Sequence, residues 1–211
     1  MIRSIRKWGS FILFFFCLFS SSLWAQNTPN ARQAKRIFGE ACQQISGPRG
    51  AEFNYSVNVI GLYKTSGTMW IKGKKHRFVE RQCSVWDDGV NFYRVDRRRK
   101  TVELHNSNSP KKDKLFSKFS FNPDSYSYHI SDSCEGYLIS LDALPGTKGI
   151  KHIKATIDKH TLVPKLLKIK LSFFWAKVKI DEFHKGNIDD HIFCFPRSQF
   201  YGYRYIDKRP D

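Results

Sequence analysis

The side chains able to do chemistry in this 211-residue chain are few and scattered. Four cysteines, Cys42, Cys83, Cys134 and Cys194, follow one at position 17 and stand about 40 to 60 residues apart, with no C-x-x-C pair. That spacing suits neither a zinc site nor a dithiol redox motif. In an oxidising compartment an even set of four points to disulfides, at least one of which is expected here, with all three connectivities open. The seven histidines show no ligand spacing. His184, Asp189, Asp190 and His191 form the one cluster a metal could favour, but they flank a Lys-Gly-Asn turn where such residues are ordinary, and no metal is expected. A cysteine with a distant histidine could form a nucleophile and base pair, yet disulfide pairing accounts better for the thiols of an exported chain. Asp87 and Asp88 are adjacent, so on an extended segment they face opposite ways and share no proton; they read as turn residues before Gly89. No P-loop, G-x-S-x-G, H-E-x-x-H or dinucleotide fingerprint occurs. The expectation is a protein that is not an enzyme and uses no cofactor.

Export is read from residues 1–25. Arg3, Arg6 and Lys7 precede an apolar run from Phe11 to Phe19, and small polar residues lead to Ala25, the order of a cleavable secretion signal. The run falls short of the roughly 20 residues that span a bilayer. Phe14, Phe15 and Phe16 stand where a lipoprotein signal would place small residues before Cys17. The mature chain is therefore read as residues 26–211, one soluble domain outside the cytoplasm, with the formal charge falling from +17 to +14 on 186 residues. Such a balance suits nucleic acid, an anionic membrane surface or an acidic partner, and export makes nucleic acid the weakest of these. The clusters Arg97-Arg98-Arg99-Lys100 and Lys111-Lys112-Asp113-Lys114 lack the interleaved aromatics of a nucleic-acid surface. The first reads as a solvated hairpin tip, with docking to an acidic partner as the alternative.

The elements that must position these groups follow from periodicity. Asn30 is placed to cap a helix whose Ala34, Ile37, Phe38, Ala41 and Ile45 form one apolar stripe, ended by Ser46-Gly47-Pro48-Arg49-Gly50. From Glu52 onward the chain alternates in short strands: Phe53 to Ile60, Ser66 to Lys72, Arg77 to Cys83, Asn91 to Asp96, Thr101 to His105, Ser125 to Ile130 and Tyr137 to Leu141. Four more are Ile150 to Ile157, Pro164 to Leu171, Trp175 to Phe183 and His191 to Phe195. A short helix is expected around Lys112 to Phe119. In the last long strand Ala176, Val178 and Ile180 oppose Lys177, Lys179 and Asp181, so one face is dry and one wet. A meander of about eleven such strands must curl to bury its apolar side, giving an incomplete, half-open antiparallel barrel covered by helices, mostly β with some α.

Gly67-Thr68-Met69-Trp70-Ile71-Lys72, Arg77-Phe78, Trp86-Asp87-Asp88-Gly89 and Phe92-Tyr93-Arg94-Val95, in this order after a helix, resemble the LolA-like outer-membrane lipoprotein carriers. Thr101-Val102-Glu103-Leu104, Asn122-Pro123, the hairpin Ile157-Asp158-Lys159-His160-Thr161 with Pro164, and the close Phe193-Cys194-Phe195-Pro196 with Asp207-Lys208-Arg209 are similar to later parts of the family. The resemblance implies a periplasmic, monomeric carrier that shields lipoprotein acyl chains between the inner and outer membranes. It implies as partners an inner-membrane lipoprotein-releasing transporter and an outer-membrane acceptor. The chain departs from the family at Lys72-Gly73-Lys74, where members carry Lys-Arg-Pro and the arginine helps hold a lid closed. Size and alternation nominate Phe38, Met69, Ile71, Phe78, Phe92, Ile169, Leu171, Phe173 and Trp175 as the lipid-binding lining. The alternatives are a carrier of another lipid, or an envelope sensor or docking protein on the same barrel. An open aromatic pocket would favour lipid, and a filled one docking.

Overall fold

A computed structural model describes residues 28–59, 63–112, 121–171 and 174–209. The secretion signal at 1–25, most of the helix expected around Lys112 to Phe119, and Phe173 lie outside the described residues. Helix α1 (Pro29–Ser46) is capped by Thr28, whose Oγ1 accepts the Ala31 N–H at 3.1 Å, and Pro29 takes a first-turn position where an N–H would have no partner anyway. Asn30, expected as the cap, instead pairs with a strand. Its Nδ2 donates to the Ile130 carbonyl at 2.8 Å, and its Oδ1 accepts the Ile130 N–H at 3.0 Å.

Twelve strands form one sheet: β1 (Ala51–Val59), β2 (Tyr63–Lys72), β3 (Lys75–Glu80), β4 (Cys83–Asp87), β5 (Asn91–Asp96), β6 (Thr101–Asn106), β7 (Tyr126–Ser133), β8 (Gly136–Ala143), β9 (His152–Ile157), β10 (Pro164–Leu171), β11 (Phe174–Lys185) and β12 (Arg204–Asp207). The order is β12-β6-β5-β4-β3-β2-β1-β11-β10-β9-β8-β7. Two antiparallel meanders are thus joined where β1 meets β11, and β12 adds in parallel to β6. β12 and β7 remain as separate edges, so the barrel is open. Between Glu52 and Asn54 the register against β11 shifts, and Glu182 opposite has φ +47, a bulge that adds bend at the seam.

Sequence periodicity misses two strands. The alternation ends one strand at Cys83 and places a turn after it, whereas the chain reverses at Arg81-Gln82 and Asp87 lies within β4. β12 is short and polar; it exists because the chain folds back to let Arg204 N–H reach the Lys100 carbonyl at 2.9 Å. The expected strand His191 to Phe195 is instead a 3-10 turn at Asp190–Phe193, since Asp189 Oδ1 accepts the His191 N–H at 2.9 Å and curls the backbone.

Both faces of the sheet are used. On the concave face α1 sets Ala34, Ile37, Phe38 and Ala41 against Tyr126, Tyr128, Ile130, Ile139, Leu141, Ile153, Ala155 and Ile157. A second concave cluster joins Ala51, Phe53, Tyr55 and Ile180 with Ile45, Val57, Met69, Ile71, Phe78 and Phe183. At the other end of the sheet, on the convex face, the C-terminal segment packs Phe195, Phe200 and Tyr203 over Trp86, Tyr93, Val95 and Val102.

Candidate functional site

Register turns the alternation of each strand into continuous rows on the concave face. One row runs Ile130, Ile139, Ala155, Leu167, Val178, Val57, and its neighbour runs Tyr128, Leu141, Ile153, Ile169, Ala176, Val59. Beyond the seam the rows become Phe53, Met69, Phe78, Val85, Arg94 and Ala51, Ile71, His76, Asp87, Phe92, His105. The concave side is therefore apolar along these rows from β7 to β1 and gains polar groups from β3 onward, beginning with His76 and Glu80. Each row works because side chains two apart share a face and cross-strand partners lie opposite each other.

Among the residues nominated for the lining, Phe38 sits on α1 between Tyr128 and Phe121, with ring centroids 6.1 and 6.0 Å away. Met69, Ile71 and Phe78 pack against the second concave cluster, and Ile169 against the first. Phe92 is buried on the same side, ringed by His76 at 6.0 Å, His105 at 6.1 Å and Lys112 Nζ at 5.1 Å. Leu171 ends β10 opposite Phe174, while Phe173 is not described. Trp175 is a correction. It pairs with Lys170 and shares the parity of exposed Lys177, so it stands on the convex face, half-buried, with Lys154 Nζ 5.9 Å from its ring.

Size and alternation did not reveal the polar centre at Asp87, which is fully buried. Its Oδ1 accepts the Ser107 hydroxyl at 2.6 Å and the Gly89 N–H at 2.9 Å, while Lys112 Nζ lies 3.1 Å from Oδ2. His76 Nδ1 is 3.6 Å from the same Oδ2. The carboxylate thereby holds the segment after β6 against the concave face. Asp88, its neighbour, is the turn residue, accepting the Val90 and Asn91 N–H groups at 2.8 and 2.7 Å. The serine, aspartate and histidine do not form a nucleophile and base relay, because the carboxylate stands between the other two.

Two hollows open near the seam and the rim of the sheet. One of about 820 Å³ is lined by Lys64, Arg81, Arg94, Arg98 and Arg99 with Glu80, Asp96 and Cys83; one of about 650 Å³ is lined by Asn54, Ser56, Ser66, Thr68, Asp181 and Glu182 among others. Both are polar. Under α1 the apolar concave side is filled, and Ile139, Leu141 and Ile157 have no solvent access, whereas Val57, Met69, Ile71 and Phe78 farther along are only partly buried.

The departure at Lys72-Gly73-Lys74 is the two-residue turn between β2 and β3, where Gly73 takes φ +58 at the first central position, a conformation an arginine adopts only with strain. The flanking Lys72 and Lys75 both reach Asp190 Oδ1 at 3.2 Å, tying this hairpin to the C-terminal 3-10 turn. Asp190 is thus an ion-pair partner and Asp189 a cap. Among the described residues no group of three His, Cys, Asp or Glu side chains could hold a metal. Cys42, Cys83, Cys134 and Cys194, expected to include a bridge, are free thiols in this structure: Cys42 on α1, Cys83 at the start of β4, Cys134 in the β7–β8 turn and Cys194 after the 3-10 turn. No helix among the described residues is long and apolar enough to cross a membrane.

No protein-family profile and no curated protein matches the chain. Solved structures do. An uncharacterized conserved protein from Thermus thermophilus is similar with a TM-score of 0.57 and 10% identity, over 83% of this chain and 99% of that one. A LolA superfamily protein from Nitrosomonas europaea matches at a TM-score of 0.38 and 8% identity, over 78% and 98%. MucB matches at 0.47 and 10%, over 80% of this chain and 65% of that one, and is also solved as the MucA/MucB complex from Pseudomonas aeruginosa. The likeness is one of architecture, an open antiparallel half-barrel shared with the Thermus thermophilus protein.

Proposed function

We propose that this chain is a periplasmic carrier that shields the acyl chains of a lipoprotein, or of a similar lipid, by binding alone and without catalysis. The observation that supports this most is the apolar concave face that runs from β7 to β1 beneath α1 and continues through Phe53, Met69, Ile71 and Phe78. Acyl chains in water cost about 0.8 kcal/mol per CH₂, so their transit needs such a face. α1 occupies it here, and cargo would enter by displacing the helix. Among the described residues, the side-chain bonds that tie α1 to the sheet region lie in its N-terminal half, Asn30 to Ile130 and Lys35 to Asp124. The C-terminal half, with Ile45 against the second cluster, is the part that would lift. An inner-membrane transporter would load the carrier and an outer-membrane acceptor would unload it.

The packing of α1 into the concave face and the polar hollows favour a second reading, a sensor or docking protein that binds a protein segment. Native mass spectrometry of the protein recovered from its own envelope separates the two. One lipid or lipoprotein per chain supports the carrier. An empty protein that also fails to take up a fluorescent acyl probe sinks it and favours docking.

A further inference from the structure

The lysines of the convex face are aligned by the sheet, although the sequence spreads them over more than a hundred positions. Lys154 on β9 is directly opposite Lys168 on β10, Lys168 is opposite Lys177 on β11, Lys177 is opposite Asn58 on β1, and Asn58 is opposite Lys64 on β2. All five side chains are exposed. At about 4.8 Å between strands, four ammonium groups share a line about 19 Å long. The line continues through Ser140 on β8 to His129 on β7 without meeting a carboxylate.

Like charges directly opposite one another destabilise a sheet. These strands lie inside the sheet, so the lysines do not serve to blunt an edge against aggregation. None of Lys64, Lys154, Lys168 and Lys177 has a carboxylate partner among the described residues, whereas neighbouring Lys179 pairs with Asp181 at 2.8 Å. An uncompensated ladder is explained by an external anion array. Near the end of the β10–β11 hairpin, beside the ladder, Trp175 lies half-buried on the lysine face, with Lys154 Nζ 5.9 Å from its ring. A tryptophan ring beside a lysine field is the composition that sits at a bilayer surface.

We propose that the convex face of β9, β10, β11 and β2 docks on an anionic membrane surface, with the lysine ladder on the headgroups and Trp175 at the interface. The concave face then points away from the bilayer plane and stays accessible. This inference does not depend on what the concave face carries.

The test is flotation of the protein, recovered after export with its own leader, on vesicles of about 30% phosphatidylglycerol in phosphatidylcholine and on phosphatidylcholine alone. Binding is expected on the anionic vesicles and is weakened by about 200 mM salt. At about fivefold per lysine, Lys154→Gln with Lys168→Gln and Lys177→Gln lowers the partition coefficient by about a hundredfold. The charge-matched Arg98→Gln, Arg99→Gln, Lys100→Gln variant at the hairpin tip keeps binding within about threefold. Relief of the like-charge contacts leaves the ladder variant at least as thermally stable as the parent, so lost binding is not lost folding. Equal losses in both triple variants would mean unspecific charge and overturn the proposal, as would no preference for anionic vesicles. Binding to polyglutamate with none to vesicles overturns it in favour of an acidic protein partner. Trp175→Ser weakens vesicle binding severalfold if its ring meets the interface; unchanged binding removes that part of the contact.

Discussion

Asp87 is a carboxylate shut off from water whose oxygens are satisfied by a hydroxyl, a backbone N–H and an ammonium. Removing it strands Lys112 and Ser107, so Asp87→Ala is expected to cost about 3 kcal/mol in urea unfolding; a loss under about 1 kcal/mol would show that this centre does not hold the segment after β6. Asp158 contributes through its charge. The Lys165 ammonium 2.7 Å away, then the Thr161 N–H and hydroxyl, with the His160 N–H adding less, hold its carboxyl well below the usual range. A depressed folded-state value contributes stability that is present above the unfolded value near pH 4 and is lost as pH falls below it. Melting temperature should therefore drop between about pH 4 and pH 2 in the parent and less steeply in Asp158→Asn; parallel curves would remove Asp158 from the account. The turn role of Asp158 was readable in its hairpin motif. The role of Asp87 was not, because burial depends on which strand lies opposite, and adjacency to Asp88 suggested a turn for both.

At the scale of elements, α1 is the clearest case of a sequence pattern that finds its place. Its stripe of small and large apolar residues predicts one buried face, and Ala31, Ala34, Ile37, Phe38 and Ala41 are buried. Truncating the ring that fills the space beside Tyr128 should be costly: Phe38→Ala is expected to lose about 3 to 4 kcal/mol by urea titration, and a loss near zero would mean the helix does not seal the concave face. The β7–β8 turn is equally exacting. Gly136 has φ +141, and a methyl group there would lie 2.2 Å from the Ile157 carbonyl oxygen. Gly136→Ala should lower the melting temperature by roughly 10 °C, consistent with about 2 kcal/mol or more. β4 escaped the periodicity because Cys83-Ser84-Val85-Trp86-Asp87 is buried on both faces: the C-terminal segment covers one and Phe78 and Phe92 flank the other, so its sequence does not alternate.

For the whole molecule, the C-terminal segment stabilises the end of the sheet that α1 does not reach. Phe195 stacks on Tyr93 at 4.3 Å and meets Trp86 edge-on at 5.5 Å, Phe200 adds a further ring contact, and β12 supplies a pairing edge to β6. Ending the chain at residue 187 would expose Trp86, Val95 and Val102 together, and the expected result is loss of the near-ultraviolet dichroism and of cooperative unfolding; a truncated protein that still melts cooperatively would show that the first eleven strands suffice. The same scale decides the electrostatics. A formal charge of +17 implies attraction to anions, but only the sheet register gathers Lys154, Lys168, Lys177 and Lys64 into one line.

Local pattern determined what each segment could bury: one amphipathic helix, most of the strands, the half-open character of the sheet and the concave placement of Phe38, Met69, Ile71, Phe78, Phe92 and Ile169. Those features depend on side-chain period, which adjacent residues encode. Tertiary structure decided the rest: the reassignment of Trp175 to the convex face, the buried Asp87, the parallel β12, the four free thiols, the filling of the concave face beneath α1 and the lysine ladder. Each arises from residues far apart in the chain, and the pairing that unites them is set by burial over the whole sheet.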